Sequence, residues 1–215
     1  ILDLVVNHTS DEHPWFIESK SSKTNAKRDW YIWADPKPDG SEPNNWESIF
    51  NGSTWEFDES TKQYYFHLFS KKQPDLNWEN PDVRQAVFEM MNWWFEKGID
   101  GFRVDAITHI KKNFEAGDLP VPDGKKFAPA FDVDMNQPGI QEWLQEMKDK
   151  SLSRYDIMTV GEANGGTPND AEEWVGEENG KFNMIFQFEH LGLWSTGDTK
   201  FDVKSYKQVL NRWQK

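Results

Sequence analysis

The chain has 215 residues and no cysteine, which excludes disulfide frameworks, thiolate metal sites and cysteine nucleophiles. Its 24 basic and 37 acidic side chains give a net charge of −13, which disfavours attraction to nucleic acid or an anionic membrane and suits a small neutral ligand. Its longest apolar runs, residues 1–6 and 182–188, are far below the ~20 residues of a membrane helix, so we expect a soluble, cytoplasmic protein.

The first six residues predict a strand, and no initiator methionine or basic leader precedes it, so we expect an internal piece of a longer protein. The 73 residues 8–80 replace a loop that is normally about 2–6 residues long. They are rich in turn residues, and 55–57 and 64–69 flank a polar turn like a hairpin. We therefore expect residues 9–80 to form a small inserted domain that covers one side of an active site.

Helices and strands alternate from residue 81 onward. The first helix has Asn80 as its N-cap and Pro81 at its first position, and it ends at Gly98. Strands are predicted at 99–106, 157–160 and 182–188, and further helices after Asn136, after Thr167 and at 206–213. This order predicts an α/β fold, with a parallel sheet and helices on the outside.

Aromatic residues make up 15% of the chain, although its mean hydropathy is −0.86. We expect most of these rings in the core and some of them at a cleft. Aromatic rings beside carboxylates and amides are typical of sugar sites, because a pyranose packs its C–H face on a ring while its hydroxyls bind polar groups.

Two carboxylates end neighbouring strands of the predicted sheet. In the strand at 99–106, alternation puts Arg103 and Asp105 on one face, where the cation favours an ionised, oriented carboxylate. Glu162 ends the next strand. Each motif alone is also compatible with a structural ion pair or a loop glutamate. Together they predict a nucleophile and an acid/base facing one substrate bond, ~5–5.5 Å apart as in retaining glycosidases.

The first strand ends in Asn7 and His8. His8 is predicted to bind a sugar hydroxyl, although a lone histidine is more often structural. The five histidines show no spacing typical of a zinc site, so no metal site is predicted.

Four ordered motifs carry a family resemblance: residues 3–8 (DLVVNH), 73–78 (QPDLNW), 101–105 (GFRVD) and 160–162 (VGE). The chain resembles the α-amylase family, glycoside hydrolase family 13, and its oligo-1,6-glucosidase and α-glucosidase branch in particular. The resemblance implies the third to sixth strands of a (β/α)8 TIM barrel. Residues 1–8 and 81–215 would then belong to catalytic domain A, and residues 9–80 would form domain B.

The resemblance also implies roles for individual residues. Asp105 would be the nucleophile, Glu162 the acid/base and Arg103 the residue that orients Asp105. The residues implied to contact the sugar are His8, Phe50, Phe69 and Gln73.

The family's third carboxylate and a common calcium loop would lie outside this chain. We therefore expect no metal or cofactor here. The expected partners are an oligosaccharide substrate and the rest of the barrel.

The implied function is a retaining, exo-acting α-glucosidase that cleaves short oligosaccharides from the non-reducing end. Ala106 follows the nucleophile, where α-1,6-cleaving members of the branch usually carry Val, so we expect α-1,4 bonds to be favoured. Asn164 would hydrogen-bond the leaving sugar. Ala106 in a purely packing role is the simpler interpretation. The alternative functions are an oligo-1,6-glucosidase or dextran glucosidase, a transglucosylase or sucrose isomerase, and a non-catalytic relative.

Overall fold

The structure, a computed structural model, describes residues 1–194 and 202–214. Its strands and helices follow one another along the chain as β1 (Leu2–Val5), α1 (Pro14–Ser21), β2 (Trp33–Ala34), β3 (Trp46–Glu47), β4 (Trp55–Asp58), β5 (Gln63–Phe66), α2 (Pro81–Glu96), β6 (Gly101–Asp105), β7 (Ala128–Pro129), α3 (Phe131–Asp134), α4 (Ile140–Lys150), β8 (Met158–Ala163), α5 (Ala171–Val175), β9 (Met184–Gln187) and α6 (Val203–Trp213). Two compact units divide the chain. The first comprises Ile1–Leu4, Met91–Thr108 and Pro138–Lys215, and the second Val5–Met90 and His109–Gln137.

The first unit is built on a four-stranded sheet with the order β1-β6-β8-β9. Strands β6 and β8 are parallel, as are β8 and β9. Helices alternate with these strands along the chain, which confirms the predicted α/β fold with a parallel sheet. Closure into a complete barrel stays a prediction, because the sheet in the described residues has two edges.

Residues of β6 alternate between the core and the opposite face of the sheet. Phe102 and Val104 are fully buried, whereas the side chains of Arg103 and Asp105 are partly exposed, as the sequence predicts. The strand begins at Gly101, whose φ is +153°. A Cβ atom there would lie 1.7 Å from the carbonyl oxygen of Met158, so β6 approaches β8 too closely for any side chain. Glycine at this position therefore permits the close approach of the two strands.

Some element boundaries differ from the predicted ones. Strand β8 runs on to Ala163 instead of ending at residue 160. Helix α6 begins at Val203, three residues earlier than predicted, because the Asp202 carboxylate accepts hydrogen bonds from the backbone N–H groups of Lys204 and Ser205. The short helices α1 and α3 were not predicted from the sequence.

The second unit contains an antiparallel sheet with the order β2-β5-β4 and a parallel pair of β3 with β7. The β4–β5 hairpin confirms the one predicted from residues 55–57 and 64–69. The core of the second unit contains Trp46, Trp55 and Phe66, together with Ala130 and Val133 from residues 109–137. Residues 109–137 thus pack with this unit, which the sequence did not indicate. The division into residues 1–8, 9–80 and 81–215 stays a prediction.

We expect the 215-residue chain, expressed alone, to self-associate and to lack glucosidase activity. In the described residues β1 and β9 each pair on one side only, and Met184 and Phe186 on β9 are 46% and 48% exposed. Unpaired apolar edge strands are templates for aggregation. Sedimentation velocity at several concentrations measures the association, and Phe186→Lys is expected to reduce it. A monomer with a cooperative unfolding transition and activity would contradict this prediction.

Candidate active site

Adjacent strands of the first unit bring two carboxylates side by side. Arg103 on β6 pairs with Val160 on β8, and Val104 pairs with Gly161. Continuing this register by one residue places Asp105 beside Glu162. Both side chains are about three-quarters buried, with exposed fractions of 24% and 23%. The two carboxylates that the sequence singles out therefore lie at the same end of neighbouring parallel strands.

One guanidinium binds three carboxylates at this end of the sheet. Arg103 Nη1 donates to Asp105 Oδ1 at 2.6 Å and to Asp3 Oδ1 at 2.8 Å, and Arg103 Nη2 lies 2.8 Å from Glu162 Oε2. Partial burial lowers the pKa of Arg103, but the bonds to Asp3 and Asp105 and the charge of Glu162 outweigh it, so the pKa is raised above its ordinary value. The guanidinium is therefore a permanent cation that fixes the carboxylates around it.

Each of the two predicted catalytic carboxylates keeps one oxygen available to a ligand. Asp105 uses Oδ1 to bind Arg103. Glu162 uses Oε2 for Arg103 and also accepts a hydrogen bond from the backbone N–H of Ala106 at 2.9 Å. Among the described residues, Asp105 Oδ2 and Glu162 Oε1 have no hydrogen-bond donor. The arrangement thus immobilises both groups while leaving an oxygen of each free for chemistry.

Asp3 is part of this group, although sequence analysis assigned it no role. It lies on β1, the strand next to β6, and its side chain is 60% exposed. Alternation along β1 could have indicated this position. Leu4 and Val6 are buried, so Asp3 belongs to the other face of the strand, as Arg103 does on β6. Its contact with Arg103 makes Asp3 a third anchor of the guanidinium.

Ala106 follows β6 in an unusual backbone conformation. Its φ is +46°, its side chain is 5% exposed, and its N–H is the one that binds Glu162. The left-handed region disfavours β-branched side chains more than it does alanine. Ala106 therefore ties the turn after Asp105 to Glu162.

Asn164 lies in the turn directly after β8, two residues beyond Glu162, and is half-buried.

The second unit brings together the other predicted sugar-binding residues. The rings of His8 and Phe69 lie 5.1 Å apart, and those of Phe50 and Phe69 lie 5.9 Å apart. The amide nitrogen of Gln73 lies 2.9 Å from His8 Nε2. Phe50 is 62% exposed, so its ring is accessible to a ligand. His8 and Gln73 also line a cavity of about 560 Å³.

A buried ion pair contacts Asn7, the residue that precedes His8. Lys112 Nζ lies 2.6 Å from Asp75 Oδ2 and donates to Asn7 Oδ1 at 2.9 Å, and the Asn7 amide donates to the same Asp75 oxygen at 3.0 Å. Asp75 Oδ1 accepts the backbone N–H of Leu68. These contacts fix the Asn7 amide next to the His8 ring. No sequence pattern indicated Lys112, because it is distant in the chain from Asn7 and Asp75.

The family comparison agrees with the motifs on which the site was predicted. The family described as "Alpha amylase, catalytic domain" matches residues 1–215. The chain belongs to the alpha-amylase family. The chain spans about two-fifths of the length of the curated relatives that it matches.

Two curated members of the alpha-amylase family illustrate the similarity. The chain is 61% identical over 215 residues to a probable oligo-1,6-glucosidase 3 of Bacillus subtilis, covering 100% of this chain and 39% of that protein. It is 54% identical over 220 residues to an oligo-1,6-glucosidase of Parageobacillus thermoglucosidasius, with the same coverage.

A solved structure in the alpha-amylase family supports the same assignment. Trehalose-6-phosphate hydrolase of Bacillus licheniformis superimposes with a TM-score of 0.90 at 45% identity, over 100% of this chain and 38% of that one. Among the helices of residues 1–194 and 202–214, none combines the length and the hydrophobicity of a membrane span.

Proposed function

We propose that this chain carries the nucleophile and the acid/base of a retaining α-glucosidase that cleaves α-1,6 bonds in short oligosaccharides. The observation that carries the proposal is the single guanidinium of Arg103, which holds Asp105 and Glu162 at the ends of neighbouring parallel strands. The names of the oligo-1,6-glucosidase relatives favour α-1,6 bonds, which the sequence analysis gave only as an alternative to α-1,4.

The proposed reaction is a double displacement. Asp105 Oδ2 attacks the anomeric carbon while Glu162 Oε1 gives its proton to the glycosidic oxygen, and the leaving sugar departs. The Glu162 carboxylate then takes a proton from water, whose oxygen attacks the same carbon and releases Asp105. Two inversions return the α-configuration. Arg103 supports the reaction by holding the Asp105 side chain in place.

The binding of the terminal glucose is proposed for the second unit. His8 and Gln73 supply polar groups for sugar hydroxyls, and Phe50 and Phe69 supply aromatic surface. The ion pair of Lys112 with Asp75 fixes the Asn7 amide, which lies next to the His8 ring. Residues 9–80 are proposed to be domain B, which carries the aromatic sugar-binding residues. Residues 1–8 and 81–215, which precede and follow it in the sequence, are proposed to be catalytic domain A.

Hydrolysis of α-1,4 bonds is the second candidate function, and Ala106 is the observation that favours it. Its methyl group is small and buried beside Asp105, which leaves room for a 1,4-linked leaving sugar. In a 1,6-linked substrate, the extra exocyclic carbon moves the leaving sugar away from the side chain at position 106, so such a substrate does not need this room. Transfer of glucose to another sugar instead of water would use the same two carboxylates.

We expect the complete protein to have a higher kcat/KM on isomaltose than on maltose. A pocket change of one or two methyl groups is worth ~1–3 kcal/mol, or about 10–200-fold in discrimination, so Ala106→Val is expected to raise the isomaltose-to-maltose ratio within that range. Ala106→Gly, which removes the methyl group and tolerates φ of +46°, is the control for backbone strain.

Steady-state kinetics on both disaccharides, with chromatography of the products, decides among these functions. A higher kcat/KM on maltose would refute the α-1,6 proposal and support the second candidate. An unchanged ratio in Ala106→Val would show that Ala106 does not select the linkage. Disaccharide or trisaccharide products in place of glucose would show transfer to sugar.

A further inference from the structure

A mainly polar cleft of about 370 Å³ lies in the first unit, at the opposite end of β8 from Glu162. Its walls come from α4 and the turn after it, from the start of β8 and from the loop between α5 and β9. Residues at the cleft include Lys148, Tyr155, Thr159, Glu177, Lys181 and Asn183. Ligand sites have volumes of about 300–1,000 Å³, so this cleft suits a small ligand.

Two half-buried lysines from different elements line the cleft. Lys148 Nζ on α4 donates to the carbonyl of Gly180 at 2.7 Å, and Lys181 Nζ donates to the carbonyl of Asn179 at 2.7 Å. An ammonium group has three N–H donors, so each amine keeps donors beyond this bond. Within the part of the chain that the structure describes, neither amine has a carboxylate within ion-pairing distance.

The electrostatics of the cleft favour an added negative charge. Burial lowers the pKa of Lys181, the charge of Glu173 raises it, and the nearby charge of Lys148 lowers it again, with a net decrease. The charges of the two ammonium groups therefore act on each other unfavourably. Glu173 and Glu177 are the acidic groups nearby, and both are exposed to solvent, which screens them. An anion between the lysines would relieve their repulsion.

The loop that positions the amines is tightly built. The N–H of Gly180 donates to the carbonyl of Gly176 at 2.8 Å, and a Cβ atom at Gly180 would lie only 2.4 Å from that oxygen. A Cβ atom at Gly176 would meet Glu172 at 2.2 Å. The two glycines thus permit a turn whose carbonyls, at Asn179 and Gly180, hold both lysine amines at one cleft. The cation pair is preorganised before any ligand arrives.

We propose that this cleft binds a phosphate group between Lys148 and Lys181, either as free phosphate or as part of a small phosphate ester. A phosphate group carries up to two negative charges and several acceptor oxygens, which match two ammonium groups with spare donors. Tyr155 also lines the cleft. This site uses none of the groups around Arg103, so it is independent of the proposed glucosidase activity.

Isothermal titration calorimetry of the complete protein with inorganic phosphate tests the proposal. We expect saturable binding that weakens at least tenfold in Lys148→Gln and in Lys181→Gln. Lys150→Gln is the matched control, because Lys150 lies on the same helix but is exposed and paired with Glu146. Lys181→Arg keeps the charge and is expected to keep binding. Thermal unfolding without phosphate checks that all variants fold alike.

Two further titrations distinguish the source of the phosphate group. Tighter binding of glucose 6-phosphate than of inorganic phosphate would indicate an ester as the ligand, and the reverse order would indicate free phosphate. Glucose alone, which has no phosphate group, is expected to give the same heat in Lys148→Gln as in the unmodified protein. The proposal is overturned by absence of saturable binding or by equal binding in all variants.

Discussion

Replacing Asp105 with Asn in the complete protein is expected to lower kcat by several orders of magnitude on every glucoside tested. The amide keeps the shape of the carboxylate and can still accept from Arg103, so the sheet and its register are retained. It cannot form the covalent glycosyl intermediate, because it has neither the charge nor the nucleophilic oxygen. Initial rates measured with an aryl α-glucoside and with isomaltose give the size of the loss.

A covalent label identifies the nucleophile directly. A mechanism-based fluoro-glucoside is expected to attach to Asp105 and to be found there by peptide mass spectrometry. The matched control is Asp156→Asn, which changes an exposed aspartate of the same unit and is expected to leave kcat unchanged. Attachment of the label to another residue, or full activity in Asp105→Asn, would refute the assigned role.

Replacing Glu162 with Gln is expected to damage natural substrates far more than activated ones. The glutamine carbonyl can still accept the N–H of Ala106 and the Arg103 bond, so the change removes the proton donor and the negative charge but keeps these contacts. A sugar leaving group needs that proton, whereas a dinitrophenolate does not. The ratio of kcat/KM for isomaltose to that for a dinitrophenyl α-glucoside is therefore expected to fall by orders of magnitude.

Glu178→Gln provides the comparison for this second experiment, since Glu178 is an exposed glutamate of the same unit. It is expected to leave the ratio of the two substrates as in the unmodified protein. An equal loss on isomaltose and on the activated substrate in Glu162→Gln would mean that Glu162 acts by positioning rather than by giving a proton. Such a result would reassign the acid while leaving the Asp105 prediction standing.

Sequence patterns predicted the features of the fold that depend on residues close together in the chain. Alternation along β6 placed Arg103 and Asp105 on one face, and Asn80 with Pro81 marked the start of α2. These features follow from local backbone geometry, which a short stretch of sequence determines.

Contacts between distant segments were not predictable in the same way. The Asp3 contact with Arg103 depends on which strands are neighbours, and the packing of residues 109–137 with the second unit depends on a shared core. Lys112 reaches Asp75 from that same segment. A positive φ at Ala106 carries no sequence signal, because alanine rarely adopts it.

The close approach at Gly101 has a consequence for chemistry as well as for folding. The oxygen of Met158 occupies the place where a side chain would begin, so every other amino acid would push β6 away from β8 at that point. Those two strands carry Asp105 and Glu162, and the distance between such carboxylates decides whether a sugar is displaced by a protein oxygen or by water. In the proposed mechanism, a residue remote from the substrate thereby contributes to the strand spacing on which the stereochemical outcome depends.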